Sequence, residues 1–252
     1  MNLFDPPEEV LNKDIDVAET SPRDLEETMA ASAYTGDYGR AQNLIEGTDN
    51  EVVELQSLCK DVFRLSRFTR VYVEDEEHGY PYLTPTNFGS LKPWYRQRNN
   101  TSKAYVSKKK HDKSEYDVED GWILVTCSGS VNIGSVFLAT EFMSDYFLTH
   151  DAIRVVPKED TYEGYLYAYL DSWVGQAYML HNEFGIGADH IEPDQIEDIP
   201  VVLPPEPERK EIHQKIKEAY AAREKFLKLD KNTVDSLGER FNENLNVLDL
   251  LD

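Results

Sequence analysis

The stretch that most constrains the fold is GWILVTCSGSVNIGSVFLAT, residues 121–140. Residues 122–127 form a nearly unbroken apolar run, which ends in a Ser-Gly-Ser turn before a second apolar segment at residues 136–138. Short apolar runs bounded by Gly and Ser are typical of buried strands. The stretch therefore predicts two strands joined by a tight turn in the interior of a domain.

Further elements are predicted on both sides of this pair. Residues 52–63 have apolar side chains at the spacing of a helix face, and Phe68, Val71 and Val73 favour a strand. Residues 162–180 are predicted as one helix, and residues 37–47 as a short helix capped by Asp37. Pro204 and Pro205 end any strand that precedes them.

The charge is distributed unevenly along the chain. The net charge is −22, but residues 60–113 carry 12 Lys and Arg against 6 Asp and Glu, a net of +6. Residues 1–59 have a net charge of −11 and residues 114–204 a net of −15. Because a local basic patch decides phosphate binding more than the average charge does, this block is the candidate nucleic-acid contact.

Residues 91–113 are predicted as a loop in which cations alternate with Trp94, Tyr95 and Tyr105. Guanidinium groups pair with guanine and amides with adenine, so five neighbours are candidates for base recognition: Arg96, Gln97, Arg98, Asn99 and Asn100. The other candidate DNA contacts are cations, of which the last three are assigned to the DNA backbone: Arg64, Arg67, Arg70, Lys92, Lys103, Lys108, Lys109 and Lys110. A solvated loop without such a role is the alternative.

The C-terminal segment has a coiled-coil pattern. A helix over residues 206–237 would be about 48 Å long, and Gly238 is expected to bend or end it. From residue 216, alternating spacings of four and three are mostly apolar, and the seam comprises Ile216, Tyr220, Arg223, Leu227, Asp230, Val234 and Leu237. Arg223 and Asp230 would pair across an antiparallel copy. The alternative is an amphipathic helix folded onto its own domain.

Several other classes of protein find little support in the sequence. No stretch is apolar enough for a membrane span, and the N-terminus lacks the features of a signal peptide, so a cytoplasmic location is predicted. Cys59 and Cys127 are expected to be buried, reduced thiols, and two cysteines are too few for a zinc site. A hydrolase built on Ser128 or His190 is a weak alternative, because the G-x-S-x-G pattern is absent.

The order of these segments resembles the target-recognition domain of type I restriction–modification specificity subunits. The resemblance covers residues 52–229 and rests on SGSVNIG at 128–134, GYLYAYLDS at 164–172, IEDIPVVLPP at 196–205 and the long helix that follows. Trp122 stands where the family often has Asp, which is a minor departure. The resemblance implies an α+β fold, in which a curved mixed β-sheet with flanking helices precedes a long helix.

The resemblance also implies a division of the chain and a function. Residues 1–50 would be an acidic tail with short helices, residues 51–205 the DNA target-recognition domain, and residues 206–252 a helix for dimerisation, spacing and docking. The chain would be a non-catalytic subunit that recognises one half of a bipartite site on double-stranded DNA. It would have no cofactor itself, because S-adenosylmethionine belongs to the modification (methyltransferase) subunits that it binds, with the restriction subunit as a further possible partner.

A different class of function stays open beside this one. The acidic composition also fits a protein-interaction or DNA-mimic module of a defence complex with no base recognition. A mimic would spread carboxylates over the recognition face, and the basic block at residues 60–113 argues against that arrangement.

Overall fold

The computed structural model describes residues 36–94, 97, 103–128, 133–181 and 190–248. Most of the predicted acidic tail thus lies outside the described residues. The fold mixes helices and sheets, as expected for an α+β protein, and it ends in a long C-terminal helix. Its strands are β1 (Glu51–Glu54), β2 (Cys59–Arg64), β3 (Tyr72–Val73), β4 (Gly79–Leu83), β5 (Tyr105–Ser107), β6 (Ile123–Thr126), β7 (Val136–Leu138), β8 (Phe147–Leu148), β9 (Ala152–Pro157) and β10 (Pro200–Leu203).

The central sheet confirms the strand pair predicted from residues 121–140. Its order is β2-β9-β6-β7, and all of its neighbours are antiparallel. Every residue of β6 is buried, because alternate side chains enter two different cores: Ile123 and Val125 one, and Leu124 the other. Burial on both faces explains why β6 is a continuous apolar run in the sequence.

A second sheet is mixed, with the order β3-β5-β4-β8. Its β4–β8 pair is parallel and the other pairs are antiparallel. A separate antiparallel ribbon joins β1 to β10.

Seven helices of the described residues surround these sheets. They are α1 (Gly36–Glu46), α2 (Pro85–Phe88), α3 (Glu141–Ser144), α4 (Glu163–Asp171), α5 (Trp173–His181), α6 (Pro193–Glu197) and α7 (Glu206–Leu248). The predicted short helix at residues 37–47 is confirmed as α1, which packs on α5 through the buried Ala41.

The helix predicted over residues 52–63 is wrong. This segment forms β1, a 3-10 turn at Leu55–Leu58 and β2. The turn between the strands places Leu55, Cys59 and Val62 in one core at spacings of four and three, which imitates a helix face. Pairing with β10 and β9 therefore outweighs the local pattern.

Three other predicted boundaries are wrong. Residues 162–180 form two helices, because Ser172 has an extended backbone (φ −71°, ψ 163°) between α4 and α5. The predicted loop at residues 91–113 contains β5, whose three residues are all buried. Gly238 does not end α7, which continues to Leu248.

The crossing of α4 and α7 requires a glycine at position 164. A Cβ atom there would lie 2.8 Å from the carbonyl oxygen of His213 in α7. Gly164→Ala is therefore expected to cost about 2 kcal/mol of stability, in the range for overpacking. Gly238→Ala is the matched control, since nothing lies within 4 Å of its Cβ, and it should stabilise α7 by about 0.5–1 kcal/mol. Urea unfolding measures both changes, and equal effects would contradict the close crossing.

Candidate nucleic-acid interface

A turn of three lysines, Lys108 to Lys110, follows β5 and is called the lysine turn below. Two of its side chains have no partner among the described residues. Backbone bonds from Lys110 and His111 to the carbonyl of Ser107, both 3.1 Å, close this turn. Lys108 folds back and donates to the carbonyls of Glu76 and Glu77 at 2.6 and 3.3 Å. The side chains of Lys109 and Lys110 are exposed and make no hydrogen bond or ion pair within the described residues, so their charges can meet a phosphate.

A groove of about 820 Å³ lies beside this turn. The segment after β2 contributes Phe68, Thr69 and Val71 to its lining, the turn contributes its three lysines, and Tyr80 lies below Lys108. Phe68 stands between His111 and His150, with ring centroids 5.0 and 4.8 Å away. The groove is thus lined by the lysine turn and by the segment 68–71 that follows Arg67.

The three predicted arginines gather near His150 but differ in their availability. Arg64 pairs with Glu192 at 3.0 Å, and Arg70 pairs with Asp151. Arg67 is exposed and has no hydrogen bond or ion pair in the described part of the chain. Burial lowers the pKa of His150, and although Asp151 opposes this, the charges of Arg70, Arg67 and Arg64 lower it further. His150 is therefore neutral at neutral pH. Of the three arginines, Arg67 is the one whose side chain lacks a partner among the described residues.

Asp151 connects the arginine segment to the central sheet. Its carboxylate accepts hydrogen bonds from Arg70 (2.5 Å), the Thr149 hydroxyl (2.7 Å) and the Ser128 hydroxyl (3.1 Å). Burial alone would raise the pKa of Asp151, but the bond from Thr149 and the charge of Arg70 outweigh it, so the pKa is lowered. Arg70 thus holds the two sheets together through Asp151.

This lowered pKa predicts how stability depends on pH. The contribution of Asp151 is complete above the pKa of the unfolded chain, about 4, and disappears as the pH falls through the lower folded pKa. Asp151→Asn should therefore destabilise the protein at pH 7 and make less difference at pH 3, as measured by urea unfolding. Glu159→Gln, on a side chain that is 91% exposed, should change little at either pH. An Asp151→Asn effect that is equal at both pH values would contradict the assignment.

The structure describes only part of the predicted base-recognition segment. Arg96, Arg98, Asn99 and Asn100 lie outside the described residues. Gln97 is described, and its side-chain amide donates to the carbonyls of Tyr82 (3.3 Å) and Ala104 (2.8 Å). The side-chain nitrogen of Gln97 is therefore already bound to backbone carbonyls of the domain.

The ends of this segment are also defined. Lys92 and Lys103 are exposed, with Lys103 at a positive φ of 71°. The aromatics Trp94 and Tyr105 are 2% and 8% exposed, so they belong to the interior rather than to a surface on which bases could stack.

The structure does not place Ser128 and His190 in the arrangement that a serine hydrolase needs. Ser128 and His190 are opposite each other in an isolated antiparallel bridge. The Ser128 hydroxyl, however, donates to the Asp151 carboxylate, and no Ser–His hydrogen bond occurs among the described residues. An activated serine would instead donate to its histidine base.

The expectations for cysteine and for metal can also be compared with the structure. Cys59 and Cys127 are free and buried, as expected, and burial raises the pKa of Cys127 to about 11. The described residues contain no group of three or more His, Cys, Asp and Glu that could hold a metal ion. Within the same residues, no helix is both long and apolar enough to cross a membrane.

The predicted seam of the C-terminal helix is divided between two environments. Ile216 and Tyr220 pack against the first core, and Leu227 is only 1% exposed in the second. Arg223 donates to backbone carbonyls of the domain, so these four residues contact their own domain. Asp230 is half-buried.

Between Asp230 and Phe241 the apolar side chains of the helix are exposed. Val234 is 38% exposed and Leu237 51%, and Phe241 extends the stripe at 59%. Two further exposed residues that the seam pattern missed, Phe226 and Leu229, lie on the adjacent face of the helix. They fall outside the alternating spacing and were detectable only as apolar residues next to it.

One family model and several solved structures are similar to this chain. A family model described as "Type I restriction modification DNA specificity domain" matches residues 48–233. No curated protein sequence matches the chain. Among solved structures, a type I S subunit from M. genitalium has a TM-score of 0.43 at 15% identity, covering 67% of this chain and 39% of that chain. The HsdS subunit from Thermoanaerobacter tengcongensis has a TM-score of 0.44 at 15% identity, covering 79% of this chain and 50% of that chain.

Proposed function

Because this chain belongs to the family of type I restriction–modification DNA specificity domains, we propose that it recognises one half of a bipartite site on double-stranded DNA. In this proposal the protein supplies recognition, and a partner supplies the chemistry. The chain spans at most half the length of the S subunits it resembles.

The proposal rests on two lysines, Lys109 and Lys110, which line the groove and have no side-chain partner among the described residues. Lys109 and Lys110 line the groove that contains Phe68, and Arg67, next to Phe68 in the sequence, is also exposed. The side chains of all three lack partners among the described residues. The neighbouring Arg64 and Arg70 are instead paired, with Glu192 and Asp151. In an acidic chain, unpaired cations on one surface favour the DNA phosphate backbone as the ligand.

In this account the cations position the DNA and the adjoining segment recognises bases. Lys92, Lys103, Lys109, Lys110 and Arg67 contact phosphates, whereas Arg96, Arg98, Asn99 and Asn100 contact base edges. Four of the candidate residues support this surface without contacting DNA, because each already has a partner in the protein: Arg64, Arg70, Lys108 and Gln97.

The C-terminal helix supplies the assembly role. Ile216 to Leu227 fix it to the recognition domain, and Val234, Leu237 and Phe241 stay exposed for an antiparallel second copy, which would make a homodimer. Two recognition domains held apart by paired helices would recognise a symmetric, interrupted site. The modification subunits, which carry S-adenosylmethionine, and in a full complex the restriction subunit, would bind this assembly. The chain itself is non-catalytic in this proposal.

A randomised duplex library tests the proposal. The purified chain, with and without candidate modification subunits, is bound to the library at low salt, and the bound fraction is sequenced. An enriched two-part motif with a fixed spacer is the expected result, and one half-motif would indicate a single domain acting alone. Absence of any enrichment with both preparations would overturn direct base recognition and favour the acidic protein-interaction module.

A further inference from the structure

Asp112 places a negative charge in the groove beside the lysine turn. It is one of the residues that line this groove, and its side chain is exposed. The described residues include no ion pair of Asp112, and no nearby cation contributes to its pKa. The next residue, Lys113, is already occupied, because it donates to the Asp117 carboxylate and to the carbonyl oxygen of Ser144. The groove that the lysines make cationic therefore also contains an unneutralised carboxylate.

One oxygen of this carboxylate is fixed by the chain. Asp112 caps the 3-10 turn Lys113–Glu115, and its Oδ1 atom accepts hydrogen bonds from the Ser114 hydroxyl at 2.8 Å and from the Ser114 N–H at 3.0 Å. These two bonds outweigh desolvation and lower the pKa of Asp112, so the group is ionised at neutral pH. Oδ2 accepts no hydrogen bond within the described residues and is the oxygen available to a ligand.

The neighbouring His111 does not neutralise this charge. The N–H of Val71 donates to its Nε2 atom at 3.4 Å, and burial lowers the pKa of His111. The imidazole is therefore neutral at neutral pH, with its proton on Nδ1. Among the side chains that line the groove, Asp112 is thus the one that can accept hydrogen bonds but cannot donate them.

An acceptor of this kind distinguishes the groups that a DNA duplex presents. Phosphate oxygens and base carbonyls are themselves acceptors, so the Asp112 carboxylate repels them, whereas an amine can donate to Oδ2. In the major groove the amines are N6 of adenine and N4 of cytosine. Guanine and thymine have the carbonyl oxygens O6 and O4 in the corresponding places. The carboxylate therefore matches a base that carries an exocyclic amine and disfavours a base that carries a carbonyl.

We infer that Asp112 is a specificity-determining residue, which accepts a hydrogen bond from the exocyclic amine of adenine or cytosine in the major groove; this inference rests on the proposed function. Lys109 and Lys110 hold the DNA backbone, and the fixed carboxylate two residues later recognises a base beside it. Base recognition thus extends to a residue that the structure describes and that sequence charge alone would have assigned to repulsion of DNA.

Asp112→Asn tests the inference by inverting the group that faces the DNA. Asparagine caps helical turns as well as aspartate does, and its single amide oxygen is needed for the two bonds from Ser114. Its NH2 group, a donor, then takes the place of Oδ2. Variant and wild type are each selected on the randomised duplex library. Wild type should favour adenine or cytosine at one position by about tenfold, and the variant should favour guanine or thymine there, respectively, with unchanged preferences elsewhere.

Base analogues then identify the contacted atom. At that position of the enriched duplex, unsubstituted purine replaces adenine, or pyrimidin-2-one replaces cytosine, which removes the amine and keeps the ring. Wild type should lose affinity about tenfold with one of the two analogues, which distinguishes adenine from cytosine, and Asp112→Asn should lose none.

Asp75→Asn is the matched control for charge and capping. The Oδ1 atom of the exposed Asp75 likewise binds two groups, the N–H and the ring Nδ1 of His78, at 2.9 and 2.8 Å. Asp75 is not among the residues that line the groove. Asp75→Asn should therefore keep the base preferences of wild type at every position.

The outcomes separate this inference from the proposed function. If Asp112→Asn keeps every wild-type preference, even with higher affinity for all duplexes, the inference is overturned, because Asp112 would then act only through its charge. A loss of preference spread over all positions would overturn it as well, since the variant would have disturbed the whole interface. If wild type itself enriches no motif, the proposed function fails, and the role of Asp112 fails with it.

Discussion

Lys109→Ala combined with Lys110→Ala should weaken DNA binding about 60-fold at about 0.1 M salt, because two phosphate contacts are lost. Both side chains are exposed and lack partners within the described residues, so their removal costs the fold little. The slope of log affinity against log salt should become shallower by about 2. Fluorescence anisotropy with a labelled duplex over a series of salt concentrations measures both quantities.

A matched pair of lysines controls for the change in net charge. Lys210 and Lys225 are equally exposed, but they lie on α7 away from the groove. Lys210→Ala combined with Lys225→Ala alters the net charge by the same amount and should leave affinity within about twofold, since the contact is local. Equal losses of DNA affinity in both double variants would mean that affinity depends on overall charge. That result would contradict DNA binding at the groove.

Leu227→Ala should destabilise the protein by about 3 kcal/mol, within the range for a large buried side chain cut back to alanine. Leu227 is 1% exposed, and its core cluster includes Phe88, Trp94 and Phe142. Truncation leaves a cavity that the surrounding sheet and helices fill only in part. Urea unfolding at a fixed protein concentration measures the loss.

Leu237→Ala, ten residues later on the same helix, should leave the stability of the monomer almost unchanged and weaken self-association. Leu237 is 51% exposed, so the free energy of unfolding of a monomer should stay within about 0.5 kcal/mol of wild type. Its effect should instead appear in self-association, which sedimentation at several concentrations would detect as a weaker dimer. A large stability loss for Leu237→Ala, or none for Leu227→Ala, would contradict the division of the seam.

The central strands were predictable because the apolar pattern of the sequence agrees with the burial of the same residues in the fold. In β6, burial on both faces requires an apolar residue at every position, and Gly121 and Ser128 mark its ends. In residues 52–63 the sequence pattern and the observed structure disagree, because a 3-10 turn between two strands produces the apolar spacing of a helix. Strand β5 was missed because it has three residues and is followed directly by the exposed lysines.

The environment of the candidate site was less predictable than its composition. The unpaired cations were found from charge alone, but the pairing of Arg70 with Asp151 joins residues 81 positions apart and leaves no local pattern. Likewise, a four–three apolar spacing on a helix is satisfied equally by a partner helix and by its own domain. Only the tertiary structure shows that the apolar side chains pack on the domain up to Leu227 and are exposed from Val234 to Phe241.

The most direct measurement is lysine footprinting of the chain on the duplex enriched from the library. Each lysine is acetylated at limiting reagent with and without DNA, and its rate of modification is determined by mass spectrometry. The account predicts strong protection of Lys109 and Lys110 and unchanged rates at Lys210 and Lys225. Unprotected Lys109 and Lys110 in a chain that is demonstrably bound would contradict it, because the DNA would then lie on another face.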